Sequence, residues 1–443
     1  MKKTTDTIRK KLKNNWSIII LLLVALVLHI FAFCEMGYNY NLDSDDISYI
    51  NSGITFFNTG QITMHGVISA QIMPGMTFLI SFFCLIFGTG ELLMYALKFF
   101  WIFMGLCSIL VLYKIIKIYA NQYAATFGCV FFLSVDYLWM DNIILTETPF
   151  ILTFLLLVYH SLKLAIDKKT KDYIMIIVWY IICLFIRPNI ALYPIFLFIY
   201  LILCKYDIKR LIKQGLIAGV ILLLVLAPWI YRNYKVFNKF IPLTYGTGNP
   251  LLLGTYQGYG YPLDEELDYK TNVDDKMSDE MKLYLYGEPT EKEYLKKYYS
   301  LEYDGMKAKY RMSEWWKRDK GSMLKTYLFL KPVELVYSNF YWDEILNIDN
   351  DTLALFRKIE ILMFIFFSIF LLINKLRVKE WLFLMLVYAS QIALYSYTFA
   401  FSRYAITLFF IRYIVIGWGI YYLSRKIKKW SGKNESISNN TCV

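Results

Sequence analysis

Long apolar runs separated by short basic loops restrict the fold of this 443-residue chain more than any other feature. Because about 20 apolar residues span a bilayer as a helix, the runs predict an all-α polytopic membrane protein. The first run is too long for the core of a signal peptide and has no small-residue cleavage pattern after it, so we expect it to remain as an anchor. The runs are approximately 16–35, 74–87, 92–113, 122–139, 148–166, 173–186, 189–204, 214–231, 354–373, 381–399 and 405–424.

The basic residues indicate which of these runs cross the membrane. Run 74–87 is shorter than the ~17 residues that a crossing needs. If it does not cross, every basic cluster falls on the cytoplasmic side, as the positive-inside rule requires. We therefore predict about ten transmembrane helices, both termini in the cytoplasm, and 74–87 as an interfacial or re-entrant helix. The Lys and Arg residues that give the net charge of +12 lie mainly in the short loops, where they orient the protein in the cell membrane. No nucleic-acid partner is therefore expected. The basic clusters lie at 2–13, 114–117, 163–171, 205–213, 375–379 and 425–429.

This topology divides the chain into four parts. Residues 1–233 form a transmembrane catalytic module that includes the first outer loop, 36–91. Residues 234–353, which are Gly-rich, then acidic, then aromatic-rich, are expected to form a small, mostly helical extracytoplasmic domain. Residues 354–424 add the C-terminal transmembrane helices, and 425–443 form a basic cytoplasmic tail.

The first outer loop places three aspartates beside the membrane, in "YNYNLDSDDISYINSG" from Tyr38. Apolar residues recur at helical spacing after them, which predicts a surface helix over 46–58 that Gly60 closes. Three interpretations remain open. Ser44 or Asp45 caps that helix, the acids keep an outer loop hydrated, or the acids take part in chemistry.

Further ionisable residues lie at the predicted outer ends of spans, where such groups are rare and often functional. For each basic residue alone, snorkelling to the lipid headgroups is a sufficient explanation. Their occurrence together on one face favours a site. A sugar carried on a lipid phosphate needs cations to hold the phosphate and a carboxylate to take the acceptor's proton. These residues are Lys98, Glu147, Arg187, Arg232 and Arg403.

The order of these motifs resembles the GT-C superfamily of membrane glycosyltransferases, and within it the protein O-mannosyltransferases and lipid A aminoarabinose transferases. The resemblance rests on Asp45-Asp46 with Tyr49 and Gly60, "PGMTFLISFFCLIFGTGEL" from Pro74, Glu147, Arg187-Pro188, "PWIYRN" from Pro228, "GNPLLLG" from Gly248, and Arg403-Tyr404.

The resemblance implies a GT-C fold, a polyprenyl-phosphate sugar as donor, and transfer with inversion at the extracytoplasmic face to a glycan, lipid or protein acceptor. Asp45 would be the base, with Asp46 and Glu147 as the other acids of the catalytic set. Substrate contacts are expected from Tyr49, Lys98, Arg187, Arg232, Arg403 and Tyr404. Aminoarabinose-type relatives have an arginine in place of Ser48 and Lys-Pro in place of Met73-Pro74, which argues against a lipid A acceptor; Lys98 is a candidate for the missing charge.

Metal ions and cofactors are not expected. The carboxylates of "DSDD" suit Mg²⁺ or Mn²⁺, but the branch with this resemblance is generally metal-independent. Seven cysteines show no C-x-x-C spacing, and none lies in 234–353, so a disulfide framework there is excluded. The three histidines, His29, His65 and His160, are scattered, which argues against a zinc site of His/Cys type and a His-based triad.

Two other functions and a purely structural role compete with the transferase. A flippase for a lipid-linked glycan would place ionisable residues at mid-membrane, whereas this chain carries its acids in outer loops. A polymerase or ligase of envelope polysaccharide would use the same membrane setting with whole oligosaccharides. A receptor or structural role leaves the set of outer-face charges unexplained and ranks last.

Overall fold

The computed structural model describes residues 15–287 and 292–430, which are predominantly helical, as the sequence predicts. The basic cluster at 2–13 and the last residues of the basic tail lie outside this described part. Five of the described helices are long and apolar enough to cross a membrane: Trp16–Met36, Glu91–Lys117, Glu147–Asp167, Ile208–Phe237 and Ser402–Trp430. The predicted total of about ten crossings stays a prediction.

The described part of the N-terminal half contains ten α-helices and one short hairpin. The hairpin pairs β1 (Thr63–Met64) with β2 (Val67–Ile68) in antiparallel register. The helices are α1 (Trp16–Met36), α2 (Asp45–Thr59), α3 (Gly75–Phe87), α4 (Glu91–Lys117), α5 (Gln122–Val130), α6 (Val135–Met140), α7 (Glu147–Asp167), α8 (Thr170–Ile186), α9 (Tyr193–Leu203) and α10 (Ile208–Phe237).

The C-terminal half begins with the segment predicted as an outer domain, and this segment is mostly helical, as expected. Its membrane side stays a prediction. The helices are α11 (Gly248–Gly254), α12 (Tyr269–Asn272), α13 (Asp279–Tyr286), α14 (Glu293–Arg318), α15 (Lys320–Lys325), α16 (Lys331–Tyr337), α17 (Asn350–Ile373), α18 (Val378–Tyr397), α19 (Ser402–Ala405) and α20 (Phe410–Trp430).

The first outer loop folds close to the expected form. Helix α2 covers 45–59 against the predicted 46–58, and Gly60 ends it in the left-handed conformation at φ +72°. Its Gly53 lies directly against α3, because a Cβ there would fall 2.4 Å from Ile80 Cγ2. With 13 residues, α3 extends for only about 20 Å, which is too short for a straight crossing.

The first half of α20 lies in the protein core, with every residue from Phe410 to Gly419 buried. Its Arg412 is part of a buried network of four charges, which we call the Asp136 tetrad: Asp136, Arg357, Glu360 and Arg412. Arg357 Nη2 lies 2.6 Å from Asp136 Oδ2 and its Nη1 pairs with Glu360, while Arg412 Nη1 lies 3.1 Å from Glu360 Oε1. The tetrad therefore ties α6, α17 and α20 together with mutually neutralised charges.

Candidate active site

Asp45 lies in the first turn of α2 and faces α19. Its Oδ2 accepts a hydrogen bond of 2.6 Å from Arg403 Nη1, and its side chain remains 31% exposed. Ser44 occupies the N-cap position, but its side chain makes no capping bond. The capping interpretation therefore does not account for Ser44 or Asp45, and the Asp45 carboxylate is paired with a cation from a distant part of the sequence.

Glu147 joins two arginines behind Asp45. It begins α7 and its side chain is fully buried. Its Oε1 accepts hydrogen bonds from Arg403 Nε at 2.5 Å and from Arg187 Nη1 at 3.2 Å. Arg187 itself follows the last residue of α8. Asp45, Arg403, Glu147 and Arg187 are thus ion-paired in series, and we call them the Asp45 tetrad.

Aromatic residues line the tetrad. Tyr404 places its ring 5.0 Å from the Arg187 guanidinium, a cation–π distance, and stacks on Tyr395 with ring centroids 5.0 Å apart. Tyr49, one turn along α2 from Asp45, is buried. Burial, aided by the nearby Asp45 carboxylate, raises the pKa of Tyr49 above its ordinary range. Its phenol therefore stays protonated at neutral pH and keeps a hydrogen to donate.

Asp46 occupies a different position from its neighbour. Its side chain is buried, and its two oxygens accept hydrogen bonds from the backbone N–H groups of Leu42, at 2.7 Å, and Ser44, at 3.1 Å. These bonds fix the loop that leads into α2. The structure thus gives Asp46 a role in loop geometry, and its predicted membership of the catalytic set stays a prediction.

Two predicted cations also bind backbone rather than the tetrad. Lys98 is buried in α4, where Nζ donates to the carbonyl oxygens of Tyr40, at 2.6 Å, and Asn142. Arg232 donates from Nη1 to Ser69 O at 2.8 Å and from Nη2 to Ile62 O at 3.2 Å. Both side chains brace the first outer loop. Within the described residues neither forms an ion pair with the Asp45 tetrad.

His65 is a residue of this site that the sequence analysis missed. It lies in the two-residue turn between β1 and β2, with Nδ1 2.9 Å from Ser48 Oγ and Nε2 3.6 Å from Asp45 Oδ1. The signal was present in "TMHGVI", because a polar residue and glycine between short β-prone pairs indicate a tight hairpin. Among residues 15–287 and 292–430, no group of three or more His, Cys, Asp or Glu side chains is arranged to hold a metal ion.

Comparisons with known proteins find one matching family model and several solved structures of similar fold. Residues 72–231 match the model described as dolichyl-phosphate-mannose-protein mannosyltransferase. The fold matches the oligosaccharyltransferase AglB from Archaeoglobus fulgidus with a TM-score of 0.55 and 14% identity, over 98% of this chain and 53% of that one. The family model covers residues 72–231, whereas the likeness of fold extends over almost the whole chain. Both findings support the resemblance to GT-C glycosyltransferases inferred from the sequence.

Two other solved structures also match the chain. An Archaeoglobus fulgidus oligosaccharyltransferase tethered to an acceptor peptide matches with a TM-score of 0.54 and 13% identity, over 98% of this chain and 52% of that one. ArnT from Cupriavidus metallidurans matches with a TM-score of 0.40 and 14% identity, over 92% and 77%. The chain spans about half the length of the oligosaccharyltransferases that it matches. Among curated proteins, none matches it.

Proposed function

We propose that the protein transfers a single sugar from a polyprenyl-phosphate donor to a hydroxyl or amine of an envelope glycan, lipid or protein. Transfer takes place at the extracytoplasmic face of the cell membrane and inverts the anomeric carbon, with Asp45 as general base. The observation that carries this proposal is the environment of Asp45. One carboxylate oxygen is held by Arg403, while the side chain stays 31% exposed beside otherwise buried charges.

Arg187 is well suited to hold the donor phosphate. Its side chain is only 11% exposed, between the rings of Phe150 and Tyr404. A guanidinium carries five N–H donors, and among the described residues only Glu147 accepts a hydrogen bond from this one. Arg187 thus keeps several donors for phosphate oxygens. The AglB structure contains a dolichol-phosphate, which supports a lipid phosphate as part of the donor here.

The chemistry follows from these two groups. Arginine neutralises the phosphate and so makes it a good leaving group without a dedicated general acid. Asp45 takes the proton of the acceptor as the acceptor attacks the anomeric carbon, and its negative charge also stabilises the oxocarbenium character that develops there. A single displacement by an activated acceptor inverts the anomeric centre. Glu147 keeps Arg403 and Arg187 in place for this step.

Transfer of a preassembled oligosaccharide is the second candidate. It is favoured by the fold shared with an oligosaccharyltransferase. The size of the transferred unit separates it from the first candidate.

Cells that lack the protein should accumulate the donor, so their lipid extract and envelope fraction supply substrates for an assay. Purified protein in liposomes is mixed with both, and the mass gained by the acceptor is measured. A gain of one monosaccharide supports the proposal, and a gain of an oligosaccharide supports the second candidate. Movement of the lipid-linked sugar across the bilayer without any transfer would contradict both and assign a flippase.

A further inference from the structure

His65 is held in an unusual backbone conformation at the edge of the site. It has φ +51° and is followed by Gly66 at φ +80°, as the two central residues of a tight hairpin turn require. Positive φ is uncommon for residues other than glycine. The turn brings the imidazole against the first turn of α2, while 41% of the side chain stays exposed. His65 thus lies beside Asp45 with part of its own side chain in solvent.

The two oxygens of Asp45 have different neighbours. Oδ2 pairs with Arg403 at 2.6 Å, whereas Oδ1 lies 3.6 Å from His65 Nε2. The other ring nitrogen, Nδ1, lies 2.9 Å from Ser48 Oγ. When Nδ1–H donates to this hydroxyl, Nε2 carries the free lone pair. In that tautomer the imidazole presents a base to the Asp45 oxygen that Arg403 does not hold.

The proposed reaction leaves a proton that has to be removed. As the new bond to the anomeric carbon forms and the bond to the phosphate oxygen breaks, the proton of the acceptor hydroxyl moves to Asp45. The prenyl phosphate leaves as a dianion, and since a phosphate monoester has a second pKa near 6, it does not retain that proton near neutral pH. Asp45 must lose the proton before the next turnover, against an arginine that already stabilises the carboxylate.

We propose that His65 is a catalytic residue that takes this proton from Asp45 Oδ1 on Nε2 and passes it to bulk water. The inference rests on the proposed function. The separation of 3.6 Å is bridged by a small side-chain rotation or by one water molecule. After the imidazolium releases the proton to solvent, Asp45 is again a carboxylate and His65 is again neutral.

The test compares variants at position 65 in the transfer assay described above, with the lipid extract as donor. His65→Asn is the main variant, because asparagine tolerates positive φ and so preserves the hairpin while removing the base. We expect turnover to fall roughly 10²-fold, the low end of the range for positioned acid–base groups, with the KM for the lipid donor unchanged. The turnover of His65→Ala should fall by a similar factor, and added imidazole should restore it in proportion to the concentration of imidazole free base.

Asp45→Asn serves as the control, since imidazole should not restore a variant that lacks the base itself. A His65→Asn enzyme with wild-type turnover would overturn the inference. So would a loss accompanied by a raised KM and unaffected by imidazole, which would make His65 a residue that positions substrate. If the wild-type protein transfers no sugar, the proposed function itself fails; if it does and His65→Asn matches it, only the role of His65 fails.

Discussion

The Asp45 tetrad and the Asp136 tetrad are built from the same groups in the same order. In each, a glutamate bridges two arginines and one of those arginines continues to an aspartate. They differ at the aspartate. The Asp136 side chain is fully buried, whereas Asp45 is 31% exposed.

The remaining hydrogen bonds show what this difference means. In the Asp136 tetrad, Asp136 Oδ1 also accepts from the Ser134 hydroxyl and from Tyr137 N at 3.1 Å, and Arg412 donates to Tyr388 Oη at 2.6 Å. The groups are therefore bonded to one another and to the protein, as a buried network must be to persist. In the Asp45 tetrad, one oxygen faces His65 and solvent. Residue types alone do not distinguish the two tetrads; the exposure of the aspartate does.

The largest expected effects come from the same substitution in both tetrads. Asp45→Asn should lower turnover by about 10²- to 10⁴-fold because the proposed general base is lost. Its melting temperature should change little, since a partly exposed ion pair contributes only about 0–1 kcal/mol. Asp136→Asn should destabilise the fold by roughly 3–5 kcal/mol, because Arg357 is left without one of its counter-charges inside the protein.

Thermal unfolding in detergent and turnover per folded molecule separate the two outcomes. Asp136→Asn should keep near-normal turnover in the fraction that folds. If Asp136→Asn stays stable and loses turnover, or if Asp45→Asn unfolds, the proposed difference between a structural Asp136 tetrad and a catalytic Asp45 tetrad is wrong.

A smaller effect is expected at the joint between the 234–353 segment and Arg403. Gln257 Nε2 donates to Ala400 O at 2.7 Å, and Ala400 N donates to Gln257 Oε1 at 2.8 Å. Ala400 lies three residues before Arg403, which pairs with both acids of the Asp45 tetrad. Gln257→Ala should lower turnover about tenfold, because small misplacements of catalytic groups cost up to 10²-fold.

Asn249→Ala is the matched control for this joint. Its amide donates to Asp304 at 3.1 Å within the same segment and lies outside the bonds to Ala400. Turnover measured for both variants should fall only for Gln257→Ala. Equal losses would mean that the segment acts through its general stability.

The smallest expected effect is a pH dependence of stability that comes from Lys331. Unlike the charges of the two tetrads, this buried lysine has no carboxylate partner within the described residues. It is held by two backbone carbonyls, Gly254 O at 3.1 Å and Thr398 O at 2.9 Å, rather than by a carboxylate. Burial lowers the pKa of Lys331 from 10.5 to about 8. Between about pH 8 and 10.5 the unfolded chain therefore binds more protons at this position, so its contribution to stability rises with pH across that window.

Melting temperatures of the wild type and Lys331→Met measured from pH 7.5 to 10 test this sign. The wild type should gain stability relative to the variant as the pH rises. A difference that is constant with pH, or that moves the other way, would contradict a lowered pKa for Lys331.

The sequence predicted the parts of this site that depend on helix ends. Asp45, Glu147, Arg187 and Arg403 lie at or beside helix termini, and the pattern of apolar runs predicts all of these termini on one side of the membrane. The structure pairs the four side chains; their membrane side stays a prediction. Their chemical roles remain predictions.

The partners of Asp46, Lys98, Arg232 and His65 were not predictable in the same way. Their contacts are with backbone groups, a hairpin turn or irregular loops, whose paths no hydrophobic period specifies. The Asp136 tetrad could not be predicted either, because its charges lie within or beside apolar runs. Only the three-dimensional pairing shows that they neutralise one another.

Asp45 must face the outside of the cell for the proposed transfer to take place, and thiol labelling of single-cysteine variants reports this side of the membrane. The native cysteines are replaced, and Asp45→Cys is compared with Lys169→Cys, whose 69% exposed native side chain lies in a predicted cytoplasmic loop. A membrane-impermeant maleimide applied to intact cells should label position 45, and position 169 only after permeabilisation. Labelling of position 169 in intact cells, with position 45 protected until the membrane is opened, would contradict the account.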